Sequence, residues 1–244
     1  MRSLRVLIPA GGRSSRSGLN YPKTLYRIGG VPILIRICKL VEKYDNNPII
    51  IVNPAFREQF QAVMDEFEMR AEFVFQEEPK GMGDAVLYAD RKIDDAGDIL
   101  LIWSDIPMLS EKTLDSLVNF HQSDKNNFSF ATSIGNNCYT IVERKNGKIT
   151  RVKETRALGI QPAKYGERDI GLFVFRKKPL FEILKKDSLK YCTGLLGEHG
   201  FLYAIEKLCI QGEKVEGYPI ALPSDCMSFN TPEELKAIED AIGK

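Results

Sequence analysis

Apolar residues along the chain fall into two alternating patterns, compact continuous blocks and longer stretches with apolar positions at helical spacing. "LRVLIP" (Leu4–Pro9) is a block of the kind that a strand buried on both faces requires. After a loop rich in glycine and serine, "PILIRICKLVEKY" from Pro32 has helical spacing with proline near its first turn. "PIIIV" (Pro48–Val52) predicts a second buried strand, "PAFREQFQAVMDEFE" (Pro54–Glu68) an amphipathic helix and "AEFVF" a third strand. "DAVLYADRK" reads as a helix and "DILLIW" (Asp98–Trp103) as a fourth strand. "SEKTLDSLVNFHQ" opens on Ser110, with Lys112 and Thr113 in the first turn, a loose form of the capping box. Strand and helix in alternation predict a parallel sheet covered by helices.

The second half changes character. "YTIVERKNGKITRVKE" reads as two alternating strands around Asn146-Gly147, a pair suited to a two-residue hairpin turn. "DIGLFVFR" predicts another strand, "FLYAIEKLCIQ" a helix, "KVEGYPI" a strand and "PEELKAIEDAI" a closing helix. There is no Pro/Gly/Ser-rich linker, low-complexity tract or fixed-period repeat. The expectation is a single α/β domain over residues 1–244, a Rossmann-like three-layer sandwich with a mostly parallel central sheet and a small inserted β-rich lobe.

Composition narrows the function. Hydrophobic content of 43% and charged content of 27% are those of an ordinary globular protein. The formal net charge of +1 gives no global field for nucleic acid or an anionic membrane, so neither is expected as a partner. The five cysteines are scattered, without a C-x-x-C pair or histidines at ligand spacing, which favours reduced thiols and a cytoplasmic protein over a zinc site. The N-terminal apolar run is too short for a signal peptide or a membrane span. Oligomeric state is left open, a homo-oligomer included.

The chemistry concentrates in "IPAGGRSSRSG", the loop directly after the first strand. In a parallel α/β sheet ligands bind at the carboxyl ends of strands. Glycines there let backbone amides approach a ligand, and exposed N–H groups form an anion-binding concavity. Arg13 and Arg16 add cations suited to phosphate. A flexible turn with solvated arginines is the alternative. The loop fits neither G-x-G-x-x-G nor G-x-x-x-x-G-K-[ST], so dinucleotide and P-loop readings are weak.

"IPAGGRSSRSGLNYPKTLYRIGGVPIL" resembles the opening signature of the NTP-transferase family, the sugar-phosphate nucleotidylyltransferases, including its Pro22-Lys23 pair. "FQEEPKGMGDAVLYA" resembles the family's glutamine-to-glycine segment through Gln76, Gly81 and Ala85, and "LIWSDIPML" its G-D-x-P motif. "RVKE", "DIGLFVF" and "SFNTPEEL" fall where the family has a glutamate, an N-x-G strand and a metal-binding turn. The resemblance spans nearly the whole chain. It implies attack of a sugar 1-phosphate oxygen on the α-phosphorus of a nucleoside triphosphate, with release of pyrophosphate. A phosphate monoester, with a second pKa near 6, is already largely dianionic at pH 7 and needs no general base. The two histidines, His121 and His199, are accordingly read as structural.

By the same resemblance Ala10, Gly11, Gly12, Arg13, Ser14 and Ser15 would cradle the nucleotide, with Gln76 and Gly81 at its base. Arg16 would hold the triphosphate and Lys23 the phosphates from the acceptor side. Asp105 and Asn230 would ligate Mg²⁺, with Asp225 as an alternative ligand and Asn230 also a candidate N-cap. Glu154 and Asp169 would contact the acceptor, opposite one another. The triphosphate would be CTP or UTP and the acceptor a phosphorylated small molecule. Ser14, Ser17, Lys80, Asp84, Thr140 and Asp169 depart from the family pattern and bear mostly on the acceptor. Two other readings stand beside this one. They are cytidylyl transfer to a non-sugar phosphate such as a phospho-alcohol or molybdopterin, and a catalytically silent nucleotide-binding regulator.

Overall fold

The computed structural model describes residues 4–12, 18–95, 97–187, 192–193, 197–228 and 231–242. The chain opens with β1 (Leu4–Pro9), then the short antiparallel pair β2 (Arg27–Ile28) and β3 (Val31–Pro32), and α1 (Ile33–Val41). Next come β4 (Ile49–Val52), α2 (Arg57–Glu66), β5 (Glu72–Phe75), α3 (Met82–Tyr88), β6 (Asp98–Ile102) and α4 (Glu111–Ser123). Ser110 is the N-cap of α4, its Oγ accepting from the Thr113 amide at 3.3 Å. The second half holds β7 (Phe128–Cys138), β8 (Thr140–Lys145), β9 (Lys148–Glu154), β10 (Ala163–Arg176) and α5 (Lys177–Asp187). It ends with β11 (Cys192–Thr193), β12 (Glu198–His199), α6 (Tyr203–Ile210), β13 (Val215–Tyr218) and α7 (Pro232–Ile242).

Among the described residues seven strands form one sheet, in the order β13-β7-β10-β6-β1-β4-β5, and only β10 runs antiparallel to its neighbours. Continuous apolar strands fit this arrangement because both sheet faces are covered. Val6 and Ile8 of β1 join Leu34 of α1, Phe60 of α2 and Leu117 of α4 in one core. Leu7, pointing the other way, joins Ala85 of α3, Leu184 of α5 and Ile205 of α6 in a second. Each such buried Val, Leu, Ile or Phe side chain contributes about 1.5–3 kcal/mol, so the sheet and its two helical layers stabilise one another. This is the three-layer α/β architecture expected from the sequence.

The lobe is the hairpin β8–β9, with the overhanging ends of β7 and β10 beneath it. Its turn has Asn146 and Gly147 at φ +51° and +80°, the pairing of positive angles that a tight hairpin needs. Val142, Ile149 and Val152 carry the hairpin into the second core. Arg144 locks it down, its Nε and Nη2 each donating to a Glu167 oxygen at 2.7 Å while Nη2 also reaches the Gly217 carbonyl at 2.7 Å.

Two longer elements, β7 and α5, have no counterpart in the hydropathy reading, and neither do the two-residue strands β2, β3, β11 and β12. The first is buried from Phe128 to Thr132 and again at Cys138, and between them "SIGNN" is mostly polar and partly exposed, so it resembles a loop. The second follows β10 without a break and carries four lysines and a proline among its buried Leu180, Phe181, Ile183 and Leu184. The cap of α7 also differs from expectation. Thr231 Oγ1 accepts from the Glu234 amide at 3.3 Å and the Glu234 carboxylate accepts from the Thr231 amide at 3.1 Å, a reciprocal capping box that makes Thr231 the cap. His121 is buried with Nδ1 2.9 Å from Ser129 Oγ. No helix among the described residues is long and apolar enough to cross a membrane.

Candidate active site

After β1 the chain crosses to β4 and β5 on one side, then returns to β6 on the other. The topological switch point, where open α/β sheets bind ligands, therefore lies beyond the carboxyl ends of β1 and β6. Ala10 leaves β1 with its amide still donating to Ile51 at 2.7 Å. Ser104 leaves β6 and donates its hydroxyl to the Pro9 carbonyl at 2.6 Å. That buried bond ties the two strand exits together and sets Asp105 beside the loop. Nothing in hydropathy or spacing marks Ser104, since its partner lies across the sheet.

Lys23 reaches the same place by a separate route. Pro22 and Lys23 start a single 3₁₀ turn whose Thr24 and Leu25 are buried. With the turn anchored, Lys23 Nζ lies 2.8 Å from Asp105 Oδ2, each side chain about one-fifth exposed. The pair places a fixed cation and a hard carboxylate side by side at the switch point.

Gln76 leaves β5 and is buried, its amide nitrogen donating to Val52 at 2.9 Å. Its side-chain Nε2 donates to Asp84 Oδ2 at 2.7 Å. A Cβ on Gly11 would stand 3.3 Å from Gln76 Oε1, so the loop passes directly over the amide. Gly81 sits at φ +112°, and a Cβ there would lie 2.4 Å from the His199 carbonyl. His199 donates its backbone N–H to Lys80 at 2.6 Å and its Nε2 lies 3.2 Å from Tyr203 Oη. Burial pushes its imidazole pKa down, opposed by the charges of Asp84 and Asp187. The buried ring serves packing.

On the acceptor side the geometry departs from expectation. Glu154 ends β9 paired with Thr140, but Asp169 is 6% exposed and turned into a bulge of β10. Its Oδ2 accepts from the Gly171 amide at 3.0 Å, while Oδ1 is buried without a hydrogen-bond partner among the described residues. Burial pushes this carboxyl upward, against the Thr140 hydroxyl and the Gly171 amide, which favour the charged form. Asp169 is thus a buried carboxyl and not an exposed one. The bulge has a cause in Trp103, whose ring would stand 2.9 Å from a Cβ on Gly171, itself at φ +79°. Trp103 also donates its amide to the Gly171 carbonyl at 2.9 Å, which holds this segment next to the strand end carrying Asp105.

Asp225, the alternative ligand, stands in a buried cluster at the start of α4. It is buried and saturated, accepting from the Ser110 amide at 2.7 Å, Thr113 Oγ1 at 2.5 Å and the Leu222 amide at 2.7 Å. Those bonds hold the start of α4. Arg13, Ser14, Ser15, Arg16 and Asn230 lie outside the described residues. Gly12 is exposed, and no described residue lies within 4 Å of where its Cβ would stand. Among the described residues no group of three or more His, Cys, Asp or Glu side chains could hold a metal ion.

With this geometry in place, residues 6–211 match the MobA-like NTP transferase domain. The chain belongs to that family. It is 26% identical over 243 residues to Bifunctional protein GlmU of Streptococcus thermophilus (strain ATCC BAA-491 / LMD-9), covering 97% of this chain and 51% of that protein. Bifunctional protein GlmU of Buchnera aphidicola subsp. Acyrthosiphon pisum (strain Tuc7) is 27% identical over 214 residues, covering 83% of this chain and 46% of that one. The chain therefore spans about half the length of these curated relatives. A crystal structure of UDP-glucose pyrophosphorylase complexed with UDP-glucose superposes with a TM-score of 0.77 at 16% identity, covering 100% of this chain and 99% of that one. The fold is that of a nucleotidyltransferase.

Proposed function

We propose that this family member transfers a nucleoside monophosphate from a nucleoside triphosphate to a sugar 1-phosphate, releasing pyrophosphate and forming a nucleotide sugar. The observation that carries the reading is the Lys23–Asp105 pair at 2.8 Å, set at the switch point beside the Gly11–Gln76 contact. An acceptor phosphate oxygen attacks the α-phosphorus, a new P–O bond forms, and the bond to the pyrophosphate oxygen breaks. Because the acceptor is already anionic, the protein's task is to align two phosphates and offset their charge. Lys23 meets the acceptor phosphate and Arg16 the triphosphate. Ala10, Gly11, Gly12, Arg13, Ser14 and Ser15 wrap the nucleotide, and Gln76 and Gly81 bound its base.

The hard carboxylate of Asp105 suits Mg²⁺, which takes few protein oxygens and keeps phosphate and water as its other ligands. Asp105 and Asn230 would hold it, and bound there it would neutralise triphosphate charge. Glu154 accepts from acceptor hydroxyls, while Asp169, from beneath, fixes the bulge at Gly171. A soluble cytoplasmic setting fits these substrates. The test is pyrophosphate release across a panel of triphosphates and acceptor phosphates, sugar and non-sugar, with Mg²⁺. Release that depends on both substrates and is greatest with a sugar 1-phosphate supports the reading. Preference for a phospho-alcohol would move the acceptor, and no release with any pair would refute transfer.

A further inference from the structure

The Ser104 hydroxyl is 2.6 Å from the carbonyl of the buried Pro9, and Ser104 itself is 8% exposed. That carbonyl and the Ala10 amide belong to one peptide group, and the Ala10 N–H donates to the Ile51 carbonyl at 2.7 Å. A peptide group is planar and rigid, so bonds at both of its ends fix its orientation. This plane is the root of the glycine loop, and it sets the direction in which Ala10, Gly11 and Gly12 leave β1. The sheet explains why a side chain meets the carbonyl there. The register of β1 with β6 runs from Leu4↔Asp98 and ends at Leu7↔Leu101. Beyond it, the Trp103 amide turns to the Gly171 carbonyl of β10 at 2.9 Å. Three consecutive residues thus bond in three directions, Trp103 to β10, Ser104 to β1 and Asp105 to Lys23.

We infer that Ser104 is a positioning residue for transfer, its hydroxyl holding the root of the glycine loop in fixed relation to Asp105. The inference rests on the nucleotidyl-transfer reading above. Ser104 acts through two neighbours, the Pro9–Ala10 peptide across the sheet and Asp105, the next residue in the chain. Attack on the α-phosphorus requires two phosphates held in line, and a misplacement of about 1 Å can lower the rate about a hundredfold. Without the hydroxyl, the Pro9 carbonyl loses this donor and the plane is held through its N–H end. The loop and Asp105 then lose their shared reference. Neither substrate need lose a contact of its own, so the deficit falls on turnover and not on binding.

Steady-state pyrophosphate release by the full chain carrying Ser104→Ala, with each substrate varied in turn at saturating Mg²⁺, tests this. The expected result is a kcat about ten- to a hundredfold below wild type, with both KM values within about threefold. Ser104→Thr keeps the hydroxyl and should recover most of the lost kcat, with thermal melts to confirm that the variants are folded. If Ser104→Ala does not fold, Ser104→Cys, whose thiol is a weak donor, takes its place with the same result required. An unchanged kcat in the folded variant, a loss carried by KM alone, or no recovery in folded Ser104→Thr would overturn the positioning role. Release by the wild type would still uphold transfer in each of those cases. No release by the wild type with any pair of substrates would overturn both readings.

Discussion

Lys23 and Asp105 are 82 positions apart in the chain and 2.8 Å apart in space, and the chemistry proposed here turns on that contact. Asp105→Asn keeps the shape of the side chain and removes its charge. Turnover should fall by about two orders of magnitude or more, the usual consequence of losing a key electrostatic group. The melting temperature should barely move, since the carboxylate is partly exposed at a strand end. Steady-state kinetics at saturating Mg²⁺, read beside a thermal melt, check both parts. These two residues, with Gln76 and Gly81, stand out in the sequence as candidates because each sits in a short motif beside a strand end or turn. The contacts of Ser104 and Asp84 are not legible in the sequence. One acts through the Pro9 carbonyl across the sheet and the other through a buried amide, and neither partner is visible in local pattern. Asp169 stands out in the sequence as a departure but not as a buried group, because the register shift of β10 that follows it is not visible in local pattern.

At the scale of elements, two short connections decide where functional groups stand. The first is the start of α3 against the His199-Gly200 strap. Gly81→Ala would combine a strained positive φ with a backbone collision at 2.4 Å, and should cost about 2–4 kcal/mol while weakening triphosphate binding. Chemical denaturation and nucleotide titration of the variant measure these effects. The second is the node at Asp225, which collects the Ser110 and Leu222 amides and the Thr113 hydroxyl. Asp225→Ala should cost about 3–5 kcal/mol, because it strands several buried donors. A ligand role would instead show as lost activity at unchanged stability, so denaturant midpoint and turnover together separate the two. The hydropathy pattern gave most elements of the parallel half, where strands are short and buried on both faces. It failed at β7 and α5, where a strand leaves the core half-way and a helix begins without punctuation.

At the scale of the molecule, the hairpin lobe carrying Glu154 is fastened to the main sheet through Arg144 and Glu167, with Thr132 donating to Glu167 at 2.7 Å. Burial pushes the Glu167 carboxyl upward, but Arg144 and Thr132 outweigh it and hold it below the usual glutamate value. A carboxyl lowered by folding contributes stability above its unfolded pKa and loses it as pH falls through the folded one. Glu167→Gln should therefore cost about 1–3 kcal/mol at neutral pH, reduced by partial exposure of the pair. Its deficit relative to wild type should shrink below about pH 4, which denaturation at a series of pH values would show. A constant deficit from neutral to acid pH would remove the ion pair from the account.

The central claim is a bond made between two phosphates, and phosphorus-31 NMR of the reaction mixture observes it directly. With Mg²⁺, CTP or UTP and a sugar 1-phosphate, the wild-type chain should convert the monoester resonance into a diphosphate-diester pair and yield inorganic pyrophosphate in equal amount. Asp105→Asn should leave both substrates standing over the same interval. Triphosphate breakdown without the diester, or no change for any triphosphate and sugar 1-phosphate tried, would contradict nucleotidyl transfer.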